Sequence, residues 1–389
     1  MFAALADLEL ALEERGRNAL LRERRTVESA AAPRIVVDGC RMLAFASNDY
    51  LGLAADPRIA AALADGATRW GAGAAASHLL SGHYAPHAAL ERLLAEFVAP
   101  DRDVRALAFS TGYLANLAMV TALAGRGDAI FADKLNHACL NDGALLSRAE
   151  FVRYRHLDVE HLARRLETTT ARRRLIVTDA VFSMDGDIAP LAALLGLAER
   201  YDAWLLVDDA HGFGVLGDGR GSLAHAGVAS DRIVYMATLG KAAGVAGAFV
   251  LAHPRVIETI LQTARSYIYT TAQPPALASA LLLAIACVRD ENDRRARLAA
   301  SIARFRSGAG DLPWRLMPSC TAIQPLLVGE SARAVALAEA LQHRGIWVPA
   351  IRPPTVPPRM ARLRVSLTAA HSPDDVDELV AALRAEATR

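Results

Sequence analysis

Lysine is nearly absent from this 389-residue chain: its 43 basic residues are 41 arginines and two lysines, Lys134 and Lys241. Together with heavy use of alanine, the arginine excess reads as the codon usage of a GC-rich genome and carries no function. Any chemistry that needs a side-chain amine is therefore confined to two positions. Cysteine is scarce as well, and Cys40, Cys139, Cys287 and Cys320 form none of the paired spacings of zinc or redox sites. They read as thiols in a reducing compartment. Charge of one sign is missing too, with 43 basic against 42 acidic residues and no sustained block of either, which removes the electrostatic footprint of nucleic acid or a membrane surface. The longest strongly apolar run, ALASALLLAIACV at 276–288, is too short to span a bilayer and reads as a core helix. Acidic residues interrupt the opening MFAALADLELALEERGR, so no secretory signal is expected. The phosphate-loop pattern GxxxxGK[ST] is absent. These absences predict a soluble, cytoplasmic protein acting on small molecules, with no nucleic-acid partner, no membrane partner and no metal.

The chain does hold enough apolar sequence, 53% of its residues, for a substantial core. Leu5, Leu8, Leu12, Leu20 and Leu21 recur at helical spacing, predicting an amphipathic helix over residues 1 to about 30 that packs on another element. From about 104 onward, short β-rich runs (VRALAFS, DAIFAD, RRLIVTDAVF, AWLLVDDA, RIVYMATLG, GAFVLA) alternate with alanine- and leucine-rich ones. That alternation predicts βαβ units and an α/β fold with a mainly parallel sheet. After a helical stretch near 255–308, the runs AIQPLLVG, IWVPAI and ARLRVSL, with helices near 332–344 and 373–386, predict a smaller α+β domain. The proline cluster IRPPTVPP at 351–358 predicts a stiff, extended connection. The expected partition is an N-terminal helix and arm (1–45), a large domain (46–290) and a small domain (291–389).

In open parallel sheets ligands bind beyond the carboxyl ends of strands. Four polar strand ends stand out: STGY (110–113), FSMDGD (182–187), VDDAHG (207–212) and TLGKAAG (238–244). By itself VDDAHG fits a metal site or a Walker-B-like element equally well. Lys241 follows a strand among small residues with no acid within three positions, a setting that lowers an amine's pKa and makes it nucleophilic. Lys134, preceded by an aspartate, reads as solvated or ion-paired. STGY opens a helix, whose first N–H groups can receive a phosphate. A lysine, a strand-end aspartate, a phosphate cradle and nearby histidines are the parts pyridoxal phosphate needs.

The motifs SNDYLGL (47–53), GAGAAASHLLSGH (71–83), STGYLANLA (110–118), DKLNHACL (133–140), VFSMDGD (181–187), VDDAHGFGVLG (207–217), TLGKAAG, IYTTAQPP (268–275) and IRPPTVP followed by ARLRVSLTAAH span nearly the whole chain in order. This ordered set resembles the α-oxoamine synthases, pyridoxal-phosphate enzymes of the aspartate-aminotransferase-like fold (fold type I). The resemblance implies that Lys241 forms the Schiff base and moves the α-proton, that Asp208 pairs with the pyridine nitrogen, and that His137 stacks on the ring and serves catalysis. It implies Ser183 and His211 at the phenolic oxygen, Gly112, Tyr113 and Thr238 at the phosphate, and Thr270 and Thr271 reaching the phosphate of the neighbouring subunit of a homodimer. Asp209 is expected to be a structural neighbour. Substrate contacts fall to Arg364 and Asn48 for the amino-acid carboxylate, and to Arg22, Thr355 and His137. DLPW followed by SCTAIQPLLVG resembles the branch that joins L-alanine to a pimeloyl group carried on coenzyme A or acyl carrier protein, in biotin biosynthesis. The competing implications are a glycine-using sibling and a non-catalytic partner subunit of the same fold. His78 departs from the glycine-richer family pattern.

Overall fold

The structure, a computed structural model, describes residues 3–17 and 20–388. The chain divides into two compact units: Asp49–Ser183 with Asp187–Ala296 form the larger, and the residues up to Asn48, Met184–Gly186 and those from Arg297 onward form the smaller.

The larger unit is built on a seven-stranded sheet in the order Arg105–Phe109, Ala248–Ala252, Ile233–Thr238, Ala203–Asp208, Arg174–Asp179, Ala129–Asp133, Glu150–Tyr154. Only Ala248–Ala252 runs against its neighbours; the other strands share one direction. Six of the seven match predicted runs. The seventh, Glu150–Tyr154, was not anticipated: it is an edge strand with the pattern EFVRY, and solvated charges at an edge interrupt the apolar signal that marks a central strand. Strands buried on both faces read as continuous apolar runs, and AIFAD and AFVLA are buried at every position. Leu107, Met119, Val177, Leu206, Val250 and Ile257 belong to one core cluster against the sheet. The strand-to-loop passage after Ala203–Asp208 is anchored by Asp209. Fully buried, Asp209 accepts from the Ser222 N–H (2.6 Å), the Ser222 hydroxyl and the Tyr235 hydroxyl (2.8 Å). Burial raises its pKa to about 7 against the pull of those donors.

In the smaller unit, Arg34–Val37 and Cys40–Ala44 form a hairpin joined in parallel by Ile346–Trp347. The strands Arg315–Leu316, Ile323–Gly329, Ala361–Ser366 and Ala350–Ile351 make a four-stranded antiparallel sheet in that order. The IWVPAI run is thus two short strands in two different sheets, because Pro349 between them has no N–H to give a ladder. The proline cluster turns rather than extends. The Thr355 N–H donates to the Arg352 carbonyl at 3.1 Å, and prolines preset φ for the centre of such a turn. At the N-terminus the helix covers Ala3–Arg17 only, and Leu5, Leu8 and Leu12 are exposed within the single chain rather than packed. Leu20 and Leu21 lie beyond it in irregular chain, and residues 1, 2, 18 and 19 of the expected helix fall outside the described residues. The final helix, Pro373–Ala387, starts at a capping box in which Ser372 and Asp375 satisfy each other's backbone N–H groups. Among the described residues no helix is long and apolar enough to cross a membrane.

One partly buried ion cluster fixes two loops of the larger unit. His156 meets Asp133 through Nδ1 (2.9 Å) and Asp187 through Nε2 (2.8 Å). Burial alone would lower its pKa, but the two carboxylates outweigh burial and raise it to about 10. A histidine raised in the folded state contributes stability that is complete below its unfolded pKa, near 6.5, and is lost as pH climbs towards 10. Melting curves of wild type and His156→Gln at pH 7 and pH 10 should therefore differ most at pH 7. An equal gap at both pH values would contradict the charged cluster.

Candidate active site

Strand register brings the chemistry together. Asp179 and Asp208 are paired positions at the carboxyl ends of adjacent parallel strands, while Thr238 ends the next strand and Asp133 ends the one on the other side. Beyond this edge lies a cavity of about 220 Å³ lined by Gly112, Tyr113, Asn116, His137, Cys139, Asp179, Ser183, Asp208, Ala210, His211, Met236, Thr238 and Lys241. Eight residues expected from sequence, Gly112, Tyr113, His137, Ser183, Asp208, His211, Thr238 and Lys241, thus share one pocket.

Each is held by its local chain. Gly112 and Tyr113 begin the helix Gly112–Leu123, capped by the Thr111 side chain accepting from Leu114 N–H. A Cβ at position 112 would lie 3.8 Å from the Met236 methyl and 3.9 Å from Thr238 Cβ, so the glycine keeps open a space between two other lining residues. Tyr113 turns its hydroxyl towards Asp142, leaving its backbone at the helix start. Thr238 donates to the Gly247 carbonyl (3.0 Å) and accepts from Gly240 N–H. Lys241 follows in a tight loop that ends at Gly244. There φ is +71° and a Cβ would come within 2.5 Å of Ala54 N, so only glycine fits.

The Lys241 amine is 2.8 Å from His211 Nε2, and His211 Nδ1 is 2.6 Å from the Tyr50 hydroxyl. This chain can carry a proton in either direction. An ammonium at Lys241 donates to Nε2 and leaves Nδ1–H for Tyr50; a free amine accepts from Nε2–H while Tyr50 donates to Nδ1. Asp208 is oriented through both oxygens, Oδ1 accepting from Ala210 N–H (2.9 Å) and Oδ2 from the Asn116 amide (2.6 Å). Asp179 accepts the His137 N–H at 2.9 Å through Oδ2, while its Oδ1 is buried with no hydrogen-bond partner. Burial, reinforced by the charge of Asp208, drives the Asp179 carboxyl well above its usual range; the His137 N–H and Lys241 pull it back. Asn116, Cys139, Asp179 and Tyr50 were not singled out from sequence. Asp179 ends an apolar strand just as Asp208 does, so the strand-end rule could have found it.

The remaining expected residues lie outside this pocket. Thr270 and Thr271 do not line it; Thr271 makes an isolated bridge to Ser77. In the smaller unit, Arg364 is buried and directs its guanidinium at the Asn48 amide oxygen (3.2 Å from both Nη1 and Nη2) and at the Ser366 hydroxyl (2.6 Å). Its neighbour on the same strand face, Arg362, is more deeply buried and forms an ion pair with Asp185 at 2.8 Å. Arg22 donates to Thr355 at 3.3 Å and shares with it a second cavity, whereas Arg25 is occupied by Asp38. Lys134 is exposed. His78, His83 and His87 gather their ring nitrogens within 4.8 Å. His87, however, accepts from Tyr84 N–H and donates to the Gln273 carbonyl, so both of its nitrogens are engaged.

A family model, aminotransferase class I and II, matches residues 41–383, and the chain belongs to that family. Its curated relatives include the 8-amino-7-oxononanoate synthase of Nitrosomonas europaea, 61% identical over 98% of each chain, and that of Aromatoleum aromaticum, 59% identical over 98% of this chain and 99% of the other. Among solved structures it resembles a serine palmitoyltransferase from S. paucimobilis with a bound PLP–myriocin aldimine (TM-score 0.92, 29% identity, 98% and 97% coverage). It also resembles an 8-amino-7-oxononanoate synthase from Francisella tularensis (TM-score 0.77, 30% identity, covering 89% of this chain and 98% of that one).

An acid whose folded pKa is raised loses native stability as pH rises through its titration. Asp179→Asn should therefore melt higher than wild type at pH 8 in the absence of ligand, with the difference vanishing near pH 4. A variant that melts lower at pH 8 would contradict the desolvated carboxyl.

Proposed function

We propose that the larger unit binds pyridoxal 5'-phosphate in this pocket and that the chain condenses L-alanine with a pimeloyl thioester to give 8-amino-7-oxononanoate, a step of biotin biosynthesis. The reaction joins the α-carbon of alanine to the acyl carbonyl, expels the thiol and releases the alanine carboxyl group as carbon dioxide. The carrying observation is the convergence of Lys241, Asp208, His137 and the helix start at Gly112 on one cavity. The chain that holds it is 61% identical to a protein named for that product.

The residues fit the cofactor group by group. An amine stands ready for an aldehyde, and a carboxylate held by two donors faces the cavity for a ring nitrogen. A helix N-terminus, whose glycine leaves open what a Cβ would fill, together with Thr238 suits a phosphate. Two buried acceptors, Asp179 Oδ1 and Asn116 Oδ1, have no protein partner. When bound, pyridoxal phosphate supplies an electron sink for a carbanion at the amino-acid α-carbon. Lys241 tethers the cofactor and moves the α-proton, with His211 and Tyr50 balancing the charge of its amine. Asp208 keeps the ring nitrogen protonated, His137 covers the ring face, and Ser183 and His211 serve its phenolic oxygen. Gly112, Tyr113 and Thr238 hold the phosphate. Arg364, steadied by Asn48, takes the amino-acid carboxylate, a task suited to a planar two-point donor. Arg22 and Thr355 take the acyl substrate. Asp209, enclosed by Ser222 and Tyr235, supports the loop.

We assign the cofactor-binding domain to residues 46–290, flanked by an arm (1–45) and a small domain (291–389). A second copy of the chain completes the site, with Thr270 and Thr271 reaching the partner's phosphate. Leu80 (83% exposed) and Tyr269 (72%) are exposed large side chains three and two positions from Ser77 and Thr271, the two ends of an isolated bridge, which favours a covering partner. The four free thiols agree with a cytoplasmic setting.

Purified enzyme should form product from L-alanine with pimeloyl-coenzyme A or pimeloyl-acyl carrier protein, and turn over glycine and L-serine at least about tenfold more slowly, the discrimination one methyl-sized feature can give. Lys241→Ala should keep its fold and lose turnover by about 10²–10⁴-fold or more. Preference for glycine or L-serine would redirect the assignment within the family, and full activity of Lys241→Ala would remove the lysine's role.

A further inference from the structure

His137 caps the helix Ala138–Ser147, and its Nδ1 accepts the Cys139 backbone N–H at 3.3 Å. A backbone N–H can only donate, which favours a bare Nδ1 with the ring's hydrogen on Nε2, but at 3.3 Å this bond is too long to hold the tautomer by itself. The Cys139 Sγ lies 2.8 Å from the same Nδ1; against an unprotonated nitrogen the thiol must be the donor. Sγ in turn faces the Asn116 amide nitrogen at 2.9 Å, and that nitrogen also faces Asp208 Oδ2 at 2.6 Å. The amide cannot be turned over, because its oxygen would then meet a carboxylate oxygen, acceptor against acceptor. Each member thus has one direction: Asn116 donates to Asp208 and to Cys139, and Cys139 donates to His137. Asn116 and Cys139 are buried. Burial, with the charge of Asp208 added, pushes the thiol pKa well up, so the relay keeps its proton.

We propose that Cys139 and Asn116 are positioning residues that lock His137 in the Nε2–H tautomer and join it, through a fixed chain of hydrogen bonds that diverges at the Asn116 amide, to the carboxylate of Asp208. The imidazole over the pocket is then a fixed N–H donor rather than a base, and its orientation is coupled to that of the acid on the same cavity. The tautomer rests on protein geometry alone; its use in turnover rests on the function proposed above.

The two can be tested separately. In cofactor-free protein carrying ¹⁵N-labelled histidine, multiple-bond ¹H–¹⁵N spectra at pH 7.5, with His137 assigned by its disappearance in His137→Gln, should show a protonated Nε2 and a bare Nδ1. Cys139→Ser, which keeps a donor, should preserve that pattern. Cys139→Ala and Asn116→Ala should each move the two ring-nitrogen signals towards each other as the second tautomer becomes populated. In the loaded enzyme Cys139→Ala should lower kcat about tenfold or more, with the KM for L-alanine within about twofold, and Cys139→Ser should recover kcat; a histidine in the wrong tautomer loses rate rather than binding. A wild-type His137 with Nδ1 protonated, or ring signals unmoved in Cys139→Ala, overturns the proposal whatever the enzyme turns over. A locked tautomer in a protein that fails to make the product would leave the relay standing and defeat the function instead.

Discussion

Two carboxyl groups side by side in a place with little water form the constraint around which this molecule is arranged. Parallel register sets Asp179 opposite Asp208, both buried, and like charges so placed resist being ionised together. The surroundings answer with donors and one cation. Asn116 and the Ala210 N–H hold Asp208, the His137 N–H holds one oxygen of Asp179, and Lys241 draws Asp179 back towards ionisation. The second oxygen of Asp179 stays without a partner, a cost of about 1–3 kcal/mol for a buried polar atom. A cationic group held against these acids would offset that cost.

The sheet makes this arrangement possible at low cost elsewhere. The central strands Ala129–Asp133, Arg174–Asp179, Ala203–Asp208 and Ile233–Thr238 are largely apolar in their interiors and each ends on a polar residue at its carboxyl end, so the reactive side chains are concentrated at one edge of the sheet. Loops then place side chains that strands cannot. His137 is fixed as a helix cap, Lys241 sits in a loop that only a glycine at 244 can close, and the cluster of His156 with Asp133 and Asp187 ties the loop bearing His137 to the one following Ser183.

Much of this was legible in sequence, for a physical reason. A polar residue that ends an apolar run must sit at a sheet edge, which is how Asp208, Thr238 and the lysine three residues further on declare themselves. With only two lysines to choose from, Lys241 needed little further argument. What stayed hidden depends on register and on contacts across long separations: Asn116 meets Asp208 from 92 positions away, and no local pattern marks it. Cys139 looked like one thiol among four until its distance to His137 was known. The arginines show the same limit. Arg362 and Arg364 alternate onto one strand face with equal claims by spacing, and only the structure pairs the first with Asp185 and turns the second to Asn48 and Ser366. The short edge strand Glu150–Tyr154 and the hairpin at 34–44 were missed because brief strands mixed with charge carry little periodicity.

The most direct measurement is borohydride reduction of the protein loaded with pyridoxal phosphate, followed by peptide mapping. The account predicts that the yellow absorbance disappears and that the cofactor's mass is found on the single peptide containing Lys241. Label on Lys134, or no retained cofactor after reduction, would contradict it.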